Sequence, residues 1–239
     1  MDVNYSHIVF ILDRSGSMAS QMEDAVGGFN AFIKHQKQLP GKCTFSLILF
    51  DNQYKQLYDF APIDTVADLN DQTYYPRGNT ALLDAIGRAM TETGIRLAAM
   101  PESTRPGRVQ IAVLTDGEEN SSKEFSGKRI KDMIEHQQTK YSWQITYLSS
   151  DINASEQALS YGFSVGNTRS ATSIASAMKG YNLSLERSRS ISHDTYVASA
   201  ACALAAANID DVLNDLAVGS TANTIDPDTN TAMESEKTP

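Results

Sequence analysis

The sequence has few cysteines, no long apolar run and no leader-like start, and each absence excludes a class of protein. Its 239 residues include only Cys43 and Cys202, too few for a fold held by disulfides, and we expect two reduced, buried thiols. No apolar run approaches the roughly 20 residues that a membrane helix needs. Residues 1–7 are polar and lack the charged and apolar regions of a secretory signal. The sequence therefore predicts a cytoplasmic protein with no membrane segment.

Clusters of basic residues are also missing. The formal net charge is −9, and residues 210–239 alone hold seven acidic residues against one Lys. Nucleic-acid binding depends on basic side chains that neutralise phosphates. We therefore expect no nucleic-acid partner.

Short apolar runs alternate with longer amphipathic stretches, which is typical of a mostly parallel sheet with helices on both faces. The predicted strands are 7–12, 44–50, 56–60, 108–115, 144–148 and 163–165, and the predicted helices are 22–37, 81–99, 128–138, 156–161 and 172–187. Residues 51–53 are too few for a helix, so the second and third strands should pair antiparallel at a sheet edge. The prediction is a doubly wound α/β domain with a six-stranded sheet.

The pattern changes near residue 190, which predicts three parts of the chain. We expect the α/β domain over 1–190, a helical extension over 191–216 and an acidic tail over 217–239. Asp194 is a candidate N-cap for an Ala-rich helix, and an apolar stripe follows at Ile209, Val212, Leu213 and Leu216. The tail has almost no large apolar residue, so burial cannot offset the entropy cost of ordering it.

Oxygen-bearing side chains follow the predicted strands at three places. Asp13, Ser15 and Ser17 alternate in the loop after the first strand, Thr80 precedes a helix, and Asp116 follows the strand 108–115. Ligands of open parallel sheets bind beyond the carboxyl ends of the strands, so we expect these five side chains to converge. Oxygen donors without His or Cys select a hard cation, and Mg²⁺ fits best, with Mn²⁺ and Ca²⁺ as alternatives.

The pattern Asp13-x-Ser15-x-Ser17 with distant Thr80 and Asp116 resembles the metal-ion-dependent adhesion site of von Willebrand factor A domains, over roughly residues 6–188. The resemblance implies a Rossmann-like fold and direct ligation of the ion by the three hydroxyls. It implies that the two carboxylates hold the ion directly or through water. It also implies a protein partner whose Asp or Glu completes the coordination. The chain looks like a stand-alone intracellular member from a prokaryote or phage.

Other interpretations stay open. Asp-x-Ser-x-Ser alone can cap a helix. A Mg²⁺-dependent phosphohydrolase would use the same end of a sheet, but no Gly-x-x-x-x-Gly-Lys-Ser/Thr loop and no His-Glu-x-x-His helix occurs, so we expect no enzyme. An adaptor for an AAA+ ATPase of the MoxR or chelatase kind would keep the fold and change the partner. Self-association would present tail acids, Asp226, Asp228, Glu234 or Glu236, to the ion of another copy.

Side chains around the predicted ion are expected to set specificity. We expect Arg14 and Arg77 to be solvated. Tyr74-Tyr75-Pro76 is either a contact patch or packs as part of its loop, and packing is favoured. Glu118, Glu119 and Asn120 either support the site or belong to a polar loop.

Overall fold

The computed structural model describes residues 1–150 and 154–202. The strands are β1 (Asp2–Asp13), β2 (Lys42–Phe50), β3 (Tyr54–Pro62), β4 (Pro106–Leu114), β5 (Gln144–Ser149) and β6 (Thr168–Ser170), and the helices are α1 (Met22–Gln38), α2 (Leu82–Ala98), α3 (Gly127–Tyr141), α4 (Ala154–Ser160) and α5 (Ile174–Ser190). A further helical segment covers 193–202. The predicted extension beyond residue 202 and the acidic tail lie outside the described residues, and the three-part division stays a prediction.

The strands form one sheet in the order β3-β2-β1-β4-β5-β6. Only β3 runs antiparallel, against β2, and the other neighbours are parallel. The predicted sheet is thus confirmed, including its antiparallel edge strand. The strand order reverses at β1, which pairs with both β2 and β4. The carboxyl ends of β1 and β4 therefore lie side by side, where open α/β sheets bind their ligands.

Helices cover both faces of the sheet because its central strands are apolar on both sides. Ile8, Phe10 and Leu12 of β1 belong to the core cluster that contains residues of α1 and α5. Val9 and Ile11 belong to the cluster that contains residues of α2 and α3. All five side chains are fully buried, as expected for a strand between two helical layers.

The last strand and the last helix start differ from the sequence prediction. Phe163 lies 5.2 Å from Tyr147 between ring centroids and is buried, but it belongs to a packed loop after Gly162, whose φ is +90°. The strand itself is the polar β6, which apolar patterning could not identify. The 193–202 helix is capped by Ser192, whose hydroxyl accepts the Thr195 N–H at 3.2 Å, and not by Asp194.

Two further expectations concern the cysteines and the membrane. Cys43 is buried as predicted, whereas Cys202 is exposed, so the prediction of two buried thiols is wrong for Cys202. Within the described ranges, the structure contains no helix whose length and apolar content would suit a membrane span.

Candidate metal centre

Asp13 is the last residue of β1, and both of its carboxylate oxygens are held by donors. The Ser15 N–H donates to Oδ1 at 2.6 Å, and the Thr115 hydroxyl donates to Oδ2 at 2.6 Å. The Tyr74 hydroxyl donates to the Asp13 carbonyl at 2.7 Å. These contacts fix the orientation of a side chain that is fully buried. Tyr74 is fully buried and packs in the core rather than within its own loop, whereas Tyr75 is 39% exposed.

The environment of Asp13 disfavours its charged form in the absence of a cation. Burial raises the pKa of Asp13 to about 6, while the hydrogen bonds from Thr115 and Ser15 act to lower it and nearby Asp116 raises it. A bound divalent cation would supply the opposite charge that this carboxylate lacks.

Ser15, Ser17 and Asp116 form a chain of oxygen contacts. The Ser15 and Ser17 hydroxyl oxygens lie 3.0 Å apart, and the Ser17 hydroxyl donates to Asp116 Oδ1 at 2.9 Å. The Gln21 side-chain amide donates to Asp116 Oδ2 at 2.9 Å. Ser17 is exposed and Asp116 is half-buried, so the cluster opens to solvent on this side.

The three hydroxyls lie within 4 Å of one point, which Gly117 leaves empty of side-chain atoms. An ideal Cβ atom at Gly117 would lie 3.1 Å from the Ser17 hydroxyl, 3.4 Å from the Thr80 hydroxyl and 3.9 Å from the Ser15 hydroxyl. Thr80 thereby joins the cluster from a loop about 65 residues downstream of Ser15. The structure brings together all five residues that the sequence pattern singled out.

Glu119 and Asn120 hold the loop that carries Thr80. The Asn120 side-chain oxygen accepts the Thr80 N–H at 2.9 Å, and the Asn120 N–H donates to the Thr80 carbonyl at 3.1 Å. Glu119 accepts the Leu83 N–H at 2.9 Å, which satisfies a donor in the first turn of α2. Both residues therefore support the site.

Arg14 is buried, so the prediction that it is solvated is wrong. Its Nε lies 3.2 Å from Asp51 Oδ2, and only 1% of its side chain is exposed. The Arg77 Nε lies 2.8 Å from the same oxygen, with 43% of that side chain exposed. Asp51 follows β2 directly and supplies the counter-charge that allows Arg14 to point inward. Sequence reasoning missed Asp51, although it is a carboxylate at a neighbouring strand end.

The donor set fits a hard divalent cation. It comprises two carboxylates and three hydroxyls, the oxygen ligands that Mg²⁺, Mn²⁺ and Ca²⁺ accept. Over residues 1–150 and 154–202, no three His, Cys, Asp or Glu side chains group in a way that could hold a metal ion. Any ion at this point therefore depends on the hydroxyls of Ser15, Ser17 and Thr80.

One enzyme-like sequence lies away from this centre. Gly162-Phe163-Ser164-Val165-Gly166 has the Gly-x-Ser-x-Gly spacing of the hydrolase nucleophile elbow. An elbow serine is exposed on a turn from a strand into a helix, whereas Ser164 is 1% exposed and lies between α4 and β6. Within the described part of the chain, its hydroxyl has no hydrogen-bond partner that would activate it. The geometry is not that of a nucleophile.

Comparison with known proteins gives a family match for part of the chain. Residues 8–119 match the family model of the von Willebrand factor type A domain. A search of curated proteins found no match to the chain.

Solved structures share the fold at low sequence identity. The chain is similar to the vWF domain of the type V pili tip protein Mfa5 from Porphyromonas gingivalis (10% identity, TM-score 0.56, covering 80% of this chain and 98% of that one). It is also similar to the manganese-loaded TRAP protein of Plasmodium vivax (15% identity, TM-score 0.52, covering 70% of this chain and 68% of that one). A third similar structure is proximal thread matrix protein 1 of the mussel byssus (16% identity, TM-score 0.52, covering 77% of this chain and 45% of that one). The chain therefore spans less than half of the mussel protein.

Proposed function

Because this chain belongs to the von Willebrand factor type A domain family through residues 8–119, we propose that it is a protein-binding module that depends on a divalent cation. In this proposal Ser15, Ser17 and Thr80 ligate Mg²⁺, and Asp13 and Asp116 hold it directly or through water. The proposal is a binding role without catalytic turnover.

The convergence of three hydroxyls on one point carries this proposal. Ser15, Ser17 and Thr80 lie 3.1–3.9 Å from the ideal Cβ position of Gly117, and Asp116 contacts Ser17 at the solvent side. Neutral hydroxyls beside two carboxylates match the ligand types of a small hard cation. The TRAP protein, which shares the fold, was crystallised with manganese, and this supports Mn²⁺ as a substitute ion.

The residues at the opening determine what the site can capture. Asp13 and Asp116 already accept hydrogen bonds from this chain, and these bonds partly neutralise their negative charge. The donors are Ser15, Thr115, Ser17 and Gln21. A divalent cation bound there would keep part of its positive charge, and this charge would attract an anionic ligand. A partner's Asp or Glu that enters beside exposed Ser17 would supply this ligand, and such charge pairing gives specificity and speed of association.

A capture experiment tests this function. The immobilised full chain, incubated with an extract of its source cells in Mg²⁺, should retain a partner that EDTA releases and added Mg²⁺ restores. Thr80→Val should fail to retain it, because the variant loses one ligand oxygen. Thr139→Val is the matched control, since its hydroxyl donates within α3, to the Glu135 carbonyl at 2.7 Å, and lies outside the five predicted ligands.

The identified partner allows a second step. Replacing one of its acidic residues by the amide should abolish capture. Retention that persists in EDTA and in Thr80→Val would contradict the proposal.

Two narrower roles stay predictions. An adaptor for an AAA+ ATPase would use the same metal-dependent capture with a motor as the partner. Self-association would place tail acids in the site of another copy, and those residues lie outside the described part of the chain.

A further inference from the structure

A second surface lies at the end of the sheet opposite the candidate metal centre. A groove of about 420 Å³ opens between the C-terminal ends of α2 and α3, the start of β4 and the 193–202 helix. It shares no residue with the five predicted metal ligands. What binds in this groove is therefore independent of the proposed metal-dependent function.

The floor of this groove is apolar and partly open to water. Leu97, Val109, Trp143 and Val197 line it, with Tyr141 at its edge. Tyr141 is 53% exposed and Val197 is 36% exposed. Exposed apolar area costs about 25 cal/mol per Å² relative to burial, so a contiguous apolar surface of this kind favours a covering segment.

The rim of the groove carries two positive charges. Arg105 and Lys140 line it together with the imidazoles of His136 and His193, and no acidic side chain is among the described residues that line it. This is notable in a chain whose formal net charge is −9. The surface therefore fits an amphipathic segment with an apolar face and acidic flanks.

The chain itself contains such a segment immediately after the described residues. Ile209, Val212, Leu213 and Leu216 recur at helical spacing, and three acids lie among them, Asp210, Asp211 and Asp215. At 100° per residue, Asp210 and Asp215 fall on opposite flanks of this apolar stripe. The segment matches the apolar floor with its stripe and the basic rim with its acids.

The sequence also provides a turn that would bring the stripe back to the groove. In an uninterrupted helix from residue 193, the stripe would face away from the side that buries Tyr196 and Ala200. Asn208 is a favoured N-cap, and acids in the next turn suit a helix start. Six residues, 203–208, separate the 193–202 helix from the stripe, which is enough for the short loop that joins two antiparallel helices.

We propose that residues 209–216 form an amphipathic helix that packs into the groove of the same chain, with Leu213 and Leu216 on the apolar floor and Asp210 and Asp215 towards the basic rim.

Disulfide trapping in the full chain tests the proposal. In a Cys202→Ser background the remaining native thiol, Cys43, is buried. The pair Val197→Cys and Leu216→Cys should form an intramolecular disulfide under mild oxidation, at least tenfold faster than the control pair Leu183→Cys and Leu216→Cys. Leu183 is a matched control because it is an apolar residue 58% exposed on α5, outside the groove.

A change in the stripe gives an independent measurement. Leu213→Asp should slow disulfide formation between Val197→Cys and Leu216→Cys at least tenfold, and Ala222→Asp, which lies beyond the stripe, should not. A disulfide that forms only between copies would overturn the intramolecular occupant. Equal trapping of both pairs, or unchanged trapping in Leu213→Asp, would overturn docking of this segment altogether.

Discussion

The Ser17 hydroxyl donates to Asp116 Oδ1 at 2.9 Å, although the two residues are 99 positions apart in the chain. Their contact follows from the sheet, because β1 pairs with β4 up to Leu12 opposite Leu114 and both strands end at the same edge. The loops that leave these two strands are thus neighbours by topology. The candidate metal centre therefore depends on the order of the strands in the sheet as well as on the residues of the motif.

Filling the point between the hydroxyls should abolish metal binding without removing a ligand. Gly117→Ala places a methyl carbon 3.1 Å from the Ser17 hydroxyl and 3.4 Å from the Thr80 hydroxyl. We expect the affinity for Mn²⁺ to fall at least about tenfold, the scale of changes that disturb a metal shell. Isothermal titration calorimetry measures this.

Gly94→Ala is the control for that substitution, because its added carbon meets nothing within 4 Å in helix α2. It should bind metal as the wild type does and gain a few tenths to about 1 kcal/mol in stability from helix propensity. Unchanged Mn²⁺ affinity in Gly117→Ala would show that the ion does not occupy this point.

Asp51 should matter for stability, because its fully buried carboxylate is the counter-charge of the buried Arg14. Asp51→Ala leaves Arg14 buried without its counter-charge, and breaking a buried pair in this way costs about 3–5 kcal/mol. Arg77→Ala removes the more exposed partner of the same carboxylate and should cost less than about 1 kcal/mol. Urea unfolding of the two variants compares the costs, and similar values for both would refute a structural role for the Arg14 pair.

His7 should weaken the fold in acid. It is fully buried, stacks on Phe60 with ring centroids 3.6 Å apart, and lies 2.9 Å from the Thr44 hydroxyl through Nδ1. Burial lowers the pKa of His7 from 6.5 to about 3, against a hydrogen bond to the Thr44 backbone that raises it. Between pH 6.5 and pH 3 the His7 imidazole binds a proton in the unfolded chain but not in the folded one. Its contribution to the free energy of unfolding is therefore intact above pH 6.5 and is lost as the pH falls.

The expected loss is about 1.4 kcal/mol in the free energy of unfolding per pH unit between pH 6.5 and 3. His7→Gln lacks the titrating group and isolates this slope from the carboxylates, which titrate in both proteins. Urea unfolding from pH 7.5 to 4.5 should show the wild type losing more stability than the variant. Parallel pH profiles would contradict a neutral, buried His7.

The sequence predicted those parts of the site in which oxygen-bearing side chains directly follow a predicted strand. Asp13, Ser15 and Ser17 are local to one loop, and Asp116 follows an obvious apolar strand, so their convergence could be predicted from the fold class. Thr115, whose hydroxyl holds Asp13 at 2.6 Å, was not singled out, because a Thr at a strand end also suits the strand itself.

Other features depend on tertiary partners that patterning does not reveal. Arg14 points inward only because Asp51 from another loop neutralises it. Phe163 has the apolar signature of a strand but packs on Tyr147 from a loop, while the actual strand, β6, is polar. Burial and pairing across loops decided these cases, and neither leaves a periodic signal in the sequence.

The central claim is that Ser15, Ser17, Thr80, Asp13 and Asp116 together hold one divalent cation. Titration of the metal-free chain with Mn²⁺, followed by electron paramagnetic resonance, measures it most directly. We predict one ion bound per chain, displaced by Mg²⁺ and weakened at least about tenfold in Thr80→Val but not in Thr139→Val. Absence of bound Mn²⁺ in the wild type, or equal binding by Thr80→Val, would contradict the account.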